Sequence, residues 1–384
     1  MRLIMTEKLY YKDAYIKNFS SRGLSCEPTK GGYAIVLAAT AFFPEEGGQY
    51  ADTGVLNGII VNDVQEKDGV IYHMTDTPIE VGTVAAGTIY FNARYEKMQC
   101  HTAEHILCGL IFKTYGLNNV GFHLGADDVT MDISAPLTWD QLMEIEHRAN
   151  LIVYENVPVT TVFPTPEELP SLEYRSKLDL TENVRIVNIG DYDSCACCAP
   201  HVAATGEIGL IKILDAEKLR GGMRIHIRAG IRAYREVAKM QEALSDISHM
   251  LSLPRLDTPD GVRKLLSDYE SKKSDLKAAR ERYFEREAEL VTPTDGNLVL
   301  AFNDATQDDL RTLANAAISK IGGILVLLSG SDGAYRFVLA SRSVDLRTEV
   351  KKITAALGGG GGGSSIMAQG TLAATLTEIK KYFI

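Results

Sequence analysis

The first ninety residues alternate short apolar runs with glycine and aspartate turn signals. Runs rich in β-branched and aromatic residues, including "YAIVLA", "GVLNGIIV", "GVIYHM" and "GTIYF", recur between residues 30 and 91. Such runs, bounded by turn residues, are typical of antiparallel strands. The pattern predicts a small antiparallel sheet or a β-barrel, and we assign residues 1–93 to a β-rich N-terminal subdomain.

Helices and strands alternate in the next part of the chain. A helix is predicted from Arg94 to Tyr115, ending at Gly116, because glycine is common at helix ends. A second helix is predicted within "TWDQLMEIEHRANLIVYEN", and strands within "VTMDIS", "VPVTTVF", "VRIVNIG" and "IGLIKIL". This mixture predicts an α+β fold, with residues 94–230 as its second subdomain.

Apolar positions three and four residues apart mark the third segment, residues 231–291. They form two runs, within residues 237–251 and 262–283, and Pro254 and Pro259 lie between them. This spacing predicts two helices that pair as a hairpin, with an apolar seam left exposed.

The last segment, residues 292–384, predicts a small α/β domain. Strand-like runs "LVLAF", "ILVLLS" and "YRFVLAS" alternate there with helical stretches. Six consecutive glycines open the stretch "GGGGGGSSIMAQG". The run is compatible with a flexible tether and equally with a functional loop.

Composition narrows the class of protein. The chain has 384 residues, which is more than one ordinary domain requires. Of these residues, 45% are hydrophobic and 23% are charged. It contains no apolar run of the roughly 18 residues that a membrane span needs, and no signal-peptide core, so we expect a cytoplasmic protein. The net charge of -10 argues against a protein that binds nucleic acid nonspecifically over its whole surface, although a local basic strip could still bind RNA.

Two pairs of residues at four-residue spacing suggest a metal site. In "HTAEH", His101 and His105 share one face of the predicted helix, which fits either a metal or ordinary packing. In "CACCAPH", Cys197 and His201 repeat the spacing. A thiolate and three imidazoles are a complete Zn²⁺ shell, so the two pairs together favour zinc over a cluster of buried small residues.

The spacing also excludes one class of zinc enzyme. The metalloprotease motif HExxH needs glutamate directly after the first histidine, but Thr102 occupies that position and Glu104 precedes the second histidine.

A separate stretch, "TAFFPEEGGQYADTG", places polar groups beside Gly47 and Gly48, whose backbone can approach a ligand closely. The same residues also fit a hairpin with a glycine turn.

These motifs together resemble one family. "TAFFPEEGGQYADTG", "HTAEH" and "CCAPHVAATGEIG" follow the order and spacing of the editing domain of alanyl-tRNA synthetases and of free-standing alanyl-tRNA editing proteins. The resemblance covers approximately residues 1–235. The glycine run resembles the glycine-rich loop in the C-terminal domain of the synthetases and of the long free-standing editors.

The resemblance implies a deacylase that releases serine or glycine wrongly esterified to alanine-specific tRNA. No segment resembles an aminoacylation core, and the chain begins almost directly with the editing-like strands, so we expect an editor that acts in trans. His101 or His201 is the expected catalytic base. The expected substrate-binding residues are Thr40, Gly47, Gly48, Gln49, Asp52 and His123.

Two further expectations concern partners. On a strand, Arg224 and Arg228 would share one face and contact tRNA phosphates, or simply form a solvated surface. The exposed seam of the hairpin predicts a homodimer. Two alternative functions stay open: a zinc-dependent hydrolase of another ester or amide, and a noncatalytic tRNA-binding module.

Overall fold

The computed structural model describes residues 5–125, 128–176 and 183–384. The chain forms two compact units, Met1–Ser245 and Asp246–Ile384. Both contain helices and sheets, so the predicted α+β class is confirmed. The finer division into four segments stays a prediction. No helix among the described residues is long and apolar enough to cross a membrane.

The first unit begins with a β-barrel. Six strands close it in the order β2, β3, β7, β6, β5, β8, and apolar side chains such as Ile35, Phe42 and Ile71 fill its core. The strands of this region are β1 (Glu7–Lys8), β2 (Asn18–Thr29), β3 (Gly32–Leu37), β4 (Ala39–Thr40), β5 (Gly54–Leu56), β6 (Ile59–Lys67), β7 (Val70–Thr75) and β8 (Val84–Ile89).

Helix α1 (Phe91–Tyr115) follows the barrel and carries the first histidine pair. It begins three residues before the predicted start at Arg94 and ends as predicted, because Gly116 adopts a left-handed φ of 68°. Both of its histidines are buried, since α1 packs against strands and a second helix. That helix is α2 (Trp139–Glu155), whose N-terminus is closed by a reciprocal capping box between Thr138 and Gln141.

Two larger sheets complete the first unit, beside the short parallel pair of β1 and β4. One has the order β14, β15, β10, β9, and the other has the order β11, β12, β13. Helix α3 (Gly230–Leu251) leads out of this unit. The strands are β9 (Asn119–Leu124), β10 (Val129–Ile133), β11 (Val159–Val162), β12 (Ile186–Ile189), β13 (Asp193–Ala196), β14 (Ile211–Leu219) and β15 (Gly222–Ala229).

The second unit contains the 33-residue helix α4 (Thr258–Leu290) and a five-stranded sheet. The sheet has the order β16, β17, β18, β20, β19. Its elements are β16 (Leu298–Phe302), α5 (Gln307–Ala317), β17 (Leu325–Ser329), β18 (Tyr335–Ala340), α6 (Leu346–Leu357), β19 (Gly359–Gly363), β20 (Met367–Leu372) and α7 (Leu376–Phe383).

Two details of this unit correct the sequence interpretation. Pro259 does not separate two helices but lies in the first turn of α4. Backbone N–H groups in the first turn have no acceptor within the helix, so the absence of this group in proline breaks no helical hydrogen bond. The glycine run is an edge strand, β19, that pairs with β20 throughout its length. The tether hypothesis is therefore wrong. Glycine is required at Gly361 because a Cβ there would lie 2.7 Å from Phe337.

Candidate metal centre

Four side chains converge at the site that the two sequence motifs predict. His101 and His105 lie on α1, Cys197 directly follows β13, and His201 lies four residues further on. One ligand atom from each residue lies within 4.8 Å of those of the other three, and the three histidines are buried. We call these four residues the His₃Cys cluster.

Hydrogen bonds on the outer side of each imidazole fix its orientation. The Nδ1 of His101 lies 3.0 Å from the amide oxygen Oε1 of Gln49, and that of His105 lies 3.0 Å from a carboxylate oxygen of Asp193. Both oxygens accept, so each Nδ1 carries a proton, and Nε2 is the ligand atom of each ring in its neutral form.

His201 reaches the same state through a hydroxyl group. The hydroxyl of Thr102 donates to the carbonyl of Met98, 2.8 Å away, one helical turn earlier in α1. Its only proton is thereby used, so the Nδ1 of His201, 3.0 Å away, donates to this oxygen. The Nε2 of His201 is left as a ligand atom. Burial lowers the pKa of His201 to about 3, which keeps the imidazole neutral.

The spacing of the cluster fits a tetrahedral ion. The Sγ of Cys197 lies 3.5 Å from Nε2 of His101 and 3.4 Å from Nε2 of His201. Zinc bonds of about 2.3 Å to sulfur and about 2.0 Å to nitrogen, at a tetrahedral angle, place these atoms about 3.5 Å apart. The donor set therefore fits Zn²⁺.

The predicted glycine turn holds one of these outer partners in place. Gly47 and Gly48 adopt φ values of 63° and 80°, which lets Gln49 turn back toward α1. The backbone of Gly48 meets strand β9, where Leu124 N–H donates to its carbonyl at 2.7 Å. The close approach that Gly48 permits is thus to strand β9, and contact of Gly47 and Gly48 with a substrate stays a prediction. Gln49 is fully buried, and its Nε2 has no hydrogen-bond partner among the described residues.

Asp52 lies in a different environment from the one its predicted role suggests. Its carboxylate forms a buried ion pair with Arg94 and accepts the N–H of Phe43 at 2.7 Å. Lys97 lies 4.0 Å from its other oxygen. Asp52 therefore fastens the glycine segment to α1, and direct substrate contact by this residue stays a prediction.

Thr40 is buried in the barrel and bonded to a histidine that the sequence did not single out. The Nδ1 of His73 faces the carbonyl of Ile35 at 3.0 Å, so it is the protonated nitrogen. Its Nε2 then accepts from the Thr40 hydroxyl at 2.7 Å. The hydroxyl of Thr40 has no second proton to donate and can offer a ligand only a lone pair.

The remaining predicted residues contact other side chains of the protein. His123 is exposed on β9 and stacks edge-on against Tyr50, with ring centroids 5.4 Å apart. Arg224 and Arg228 share a face of β15, as predicted, but Asp132 binds Arg224 at 2.8 Å, and Asp128 lies 3.1 Å from Arg228. These acids reduce the positive charge that a phosphate would meet.

Sequence reasoning missed Thr102, Asp193 and His73. Thr102 stands inside the "HTAEH" motif and Asp193 two residues before "CACC", so proximity to a ligand residue was the available signal. His73 had no such signal, because its partner Thr40 lies 33 residues away.

Comparisons with known proteins agree with this arrangement. Residues 184–226 match the threonyl and alanyl tRNA synthetase second additional domain, and the match includes Cys197 and His201. Residues 295–383 match the DHHA1 domain. The chain therefore combines these two domains.

Known proteins align with both of these regions of the chain. The chain is 29% identical over 397 residues to the alanyl-tRNA editing protein AlaX-L of Pyrococcus horikoshii. This alignment covers 98% of this chain and 96% of that protein. It is 33% identical to alanine–tRNA ligase of Halorubrum lacusprofundi and 32% identical to that of Pyrococcus abyssi. These matches cover 95% and 96% of this chain, but the chain spans only 42% of either ligase. The predicted resemblance to long alanyl-tRNA editing proteins is confirmed.

Proposed function

We propose that this protein is an aminoacyl-tRNA deacylase that acts in trans on tRNA(Ala) carrying serine or glycine. The observation that carries the proposal is the His₃Cys cluster, three imidazole nitrogens and a thiol within 4.8 Å of one another. The similarity to an alanyl-tRNA editing protein along nearly the whole chain supports the choice of tRNA(Ala).

The proposed substrates follow from the limits of molecular recognition. A pocket shaped for alanine cannot strongly reject the smaller glycine, and one added hydroxyl is discriminated by only about a hundredfold in a comparable enzyme. A second, hydrolytic site is the known solution to this problem. The reaction is addition of water to the ester, giving the free amino acid and the 3′-hydroxyl of tRNA.

In this proposal the His₃Cys cluster holds Zn²⁺. The bound ion would supply Lewis acidity for cleavage of the ester. Gln49 would contribute the N–H that now lacks a partner, as a donor to a substrate oxygen beside His101. Thr40 Oγ1 already accepts the N–H of Phe42 at 3.1 Å, and its remaining lone pair would accept a hydrogen bond from the hydroxyl of a seryl group.

Proton transfer is assigned to the histidines of the cluster. A shell of four protein ligands leaves no open position, so water activation requires a fifth position or release of one ligand. His101 and His201 are our candidates for the released base, because their Nε2 atoms face the thiol at 3.5 Å and 3.4 Å.

The tRNA itself would meet a larger surface. Arg224 and Arg228 are proposed phosphate contacts, for which phosphate would have to compete with Asp132 and Asp128. A homodimer through the exposed apolar positions of α3 and α4 is the second proposed partner interaction.

A deacylation assay tests the function. Seryl-, glycyl- and alanyl-tRNA(Ala) are incubated with wild-type protein and with His105→Ala, and release of the amino acid is followed. We expect hydrolysis of the seryl or glycyl ester, little hydrolysis of the alanyl ester, and loss of activity in the variant. Binding of tRNA with every ester left intact would instead support the noncatalytic module. Hydrolysis of a serine ester that lacks tRNA, at an equal rate, would support a different hydrolase.

A further inference from the structure

The outer partner of His105 is itself held by a charged side chain. Asp193 lies at the start of β13, and its carboxylate is 1% exposed. Arg175 binds both of its oxygens, with Nε 2.7 Å from Oδ1 and Nη2 2.8 Å from Oδ2. The chain Arg175–Asp193–His105 therefore runs without a gap from a cation to a cluster ligand.

The backbone around Arg175 is fixed to the same strand. Its N–H donates to the carbonyl of Ser194 at 2.8 Å, and its carbonyl accepts from Ala196 N–H at 2.9 Å. A cation anchored on both sides in this way is built into the fold. The bidentate geometry further restricts the carboxylate, because both oxygens are engaged in one plane.

A glycine on α1 lets this assembly reach His105. Gly109 lies one helical turn after His105, and a Cβ there would be 2.6 Å from the carbonyl oxygen of Tyr192 and 2.8 Å from Cβ of Asp193. The turn that precedes β13 thus packs directly on the helix backbone. This close contact brings the Asp193 carboxylate to within 3.0 Å of the imidazole.

The same carboxylate belongs to a competing group of donors. His105, Asp193 and Cys195 also place one ligand atom each within 4.8 Å of one another. A metal bound there would take Asp193 as a ligand and remove His105 from the His₃Cys cluster. Arg175 opposes this, because a carboxylate that already receives two charged hydrogen bonds is a poorer metal ligand.

We propose that Arg175 is a positioning residue that acts through Asp193 on His105. It keeps Asp193 as a hydrogen-bond acceptor outside the metal shell, directs Nε2 of His105 toward Cys197, and disfavours metal binding at Asp193 and Cys195. The inference rests on the zinc site of the proposed function but not on its tRNA substrate. Outer partners of metal-bound histidines typically change metal affinity by 10–100-fold.

The test measures metal binding and not catalysis. Zinc affinity is determined by competition with a chromophoric chelator for the full-length wild type, Arg175→Gln, Arg175→Lys and Asp193→Asn. Arg347→Gln is the matched control, since Arg347 also pairs with an aspartate, Asp345, but in the other unit. Cobalt(II) is then substituted, and its visible spectrum reports the geometry and the thiolate ligand.

We expect Arg175→Gln and Asp193→Asn to bind zinc about 10- to 100-fold more weakly than the wild type and Arg347→Gln. The cobalt spectrum of Arg175→Gln should also change, since Asp193 is released. Arg175→Lys retains the positive charge but not the contact with both carboxylate oxygens, so it should lose less zinc affinity than Arg175→Gln. It should also stay folded if Arg175→Gln does not. Wild-type affinity and an unchanged cobalt spectrum in the folded Arg175 variants would overturn the proposal. Absence of zinc binding by the wild type would instead overturn the metal centre itself.

Discussion

The α-carbon of Gly48 faces the main-chain carbonyl of Phe122 so closely that a Cβ at Gly48 would lie 2.3 Å from that oxygen. Gly48 immediately precedes Gln49, whose amide oxygen orients His101. A side chain at Gly48 would therefore push away the loop that holds a cluster ligand. The packing of the glycine motif therefore supports the orientation of His101 in the His₃Cys cluster.

Replacement of Gly48 by alanine should consequently weaken zinc binding. We expect a loss of at least about tenfold for Gly48→Ala, comparable to loss of an outer hydrogen bond to a ligand histidine. The matched control is Gly58→Ala, because Gly58 has almost the same φ, 81° against 80°, but open space around its α-carbon. Chelator competition on both variants measures the difference. Equal affinities would show that the contact with Phe122 does not support the site.

Zinc content tests the cluster more directly. We expect about one zinc per chain in the wild type and almost none in a His105→Ala, Cys197→Ala double variant, which lacks two of the four donors. Cys26→Ala is the control, since Cys26 is a free cysteine of the barrel strand β2, outside the cluster. Elemental analysis of dialysed protein gives the ratio. Unchanged zinc in the double variant would place the metal elsewhere.

Thr40 should determine preference for serine, if it lines the amino-acid pocket. Thr40→Val removes the lone pair offered to a seryl hydroxyl, and loss of one hydrogen bond corresponds to about a tenfold fall in the ratio of seryl to alanyl hydrolysis. The control is Thr75→Val, which removes another buried hydroxyl of the barrel, bonded to the carbonyl of Thr77 at 2.9 Å. Rates on the two esters are compared in each variant. An unchanged ratio in Thr40→Val would remove Thr40 from the pocket.

The stability of the barrel should depend on His73 in mildly acidic solution. Burial lowers the pKa of His73 from 6.5 to about 4. Between these values the unfolded chain binds a proton that the folded chain does not, so stability falls as pH falls through this window and is recovered above pH 6.5. The contribution is about 3 kcal/mol across the whole window.

Urea unfolding of the wild type and His73→Gln at several pH values measures this effect. The other titrating groups, His201 among them, are shared by both proteins, so the difference between the two pH profiles isolates His73. The wild type should lose more stability than the variant between pH 6.5 and about 4. Parallel profiles would contradict the prediction.

Local patterns in the sequence identified the four residues of the His₃Cys cluster but not the residues that orient them. The four-residue spacings within "HTAEH" and "CACCAPH" are properties of one helix and one loop, so the sequence displays them directly. The bond between His105 and Asp193 joins residues 88 positions apart, and only the packing of α1 against β13 brings them together. The same holds for Arg175, which lies in no recognisable motif.

Composition was misleading where backbone pairing decided the outcome. Six glycines have low intrinsic preference for a strand, which is why a tether was one of two interpretations. In the structure the backbone of β19 pairs with that of β20, so the glycine segment is an ordered strand of the sheet although it has no side chains to pack. Tertiary context thus outweighs local preference at this edge.

The long helix α4 should join two copies of the protein. Apolar side chains at three- and four-residue spacing lie along one side of it, and Leu265, Tyr269 and Leu276 are 58%, 62% and 60% exposed. A stripe of this kind in water favours pairing with a second helix. We expect light scattering to give the mass of a dimer for the full chain and of a monomer for Leu265→Glu combined with Leu276→Glu, since two glutamates would place buried charges in the seam.

The matched control for the dimer places charge on the same helix away from the stripe. Lys264→Glu combined with Lys277→Glu changes the net charge more than the leucine variant does, so a general electrostatic effect would disrupt this control as well. We expect the control to remain dimeric and both variants to keep the helical circular dichroism of the wild type. A monomeric wild type would refute the dimer. A leucine variant that stays dimeric would move the interface to another surface, because two charged side chains cannot be buried in a helical seam without a large loss of affinity.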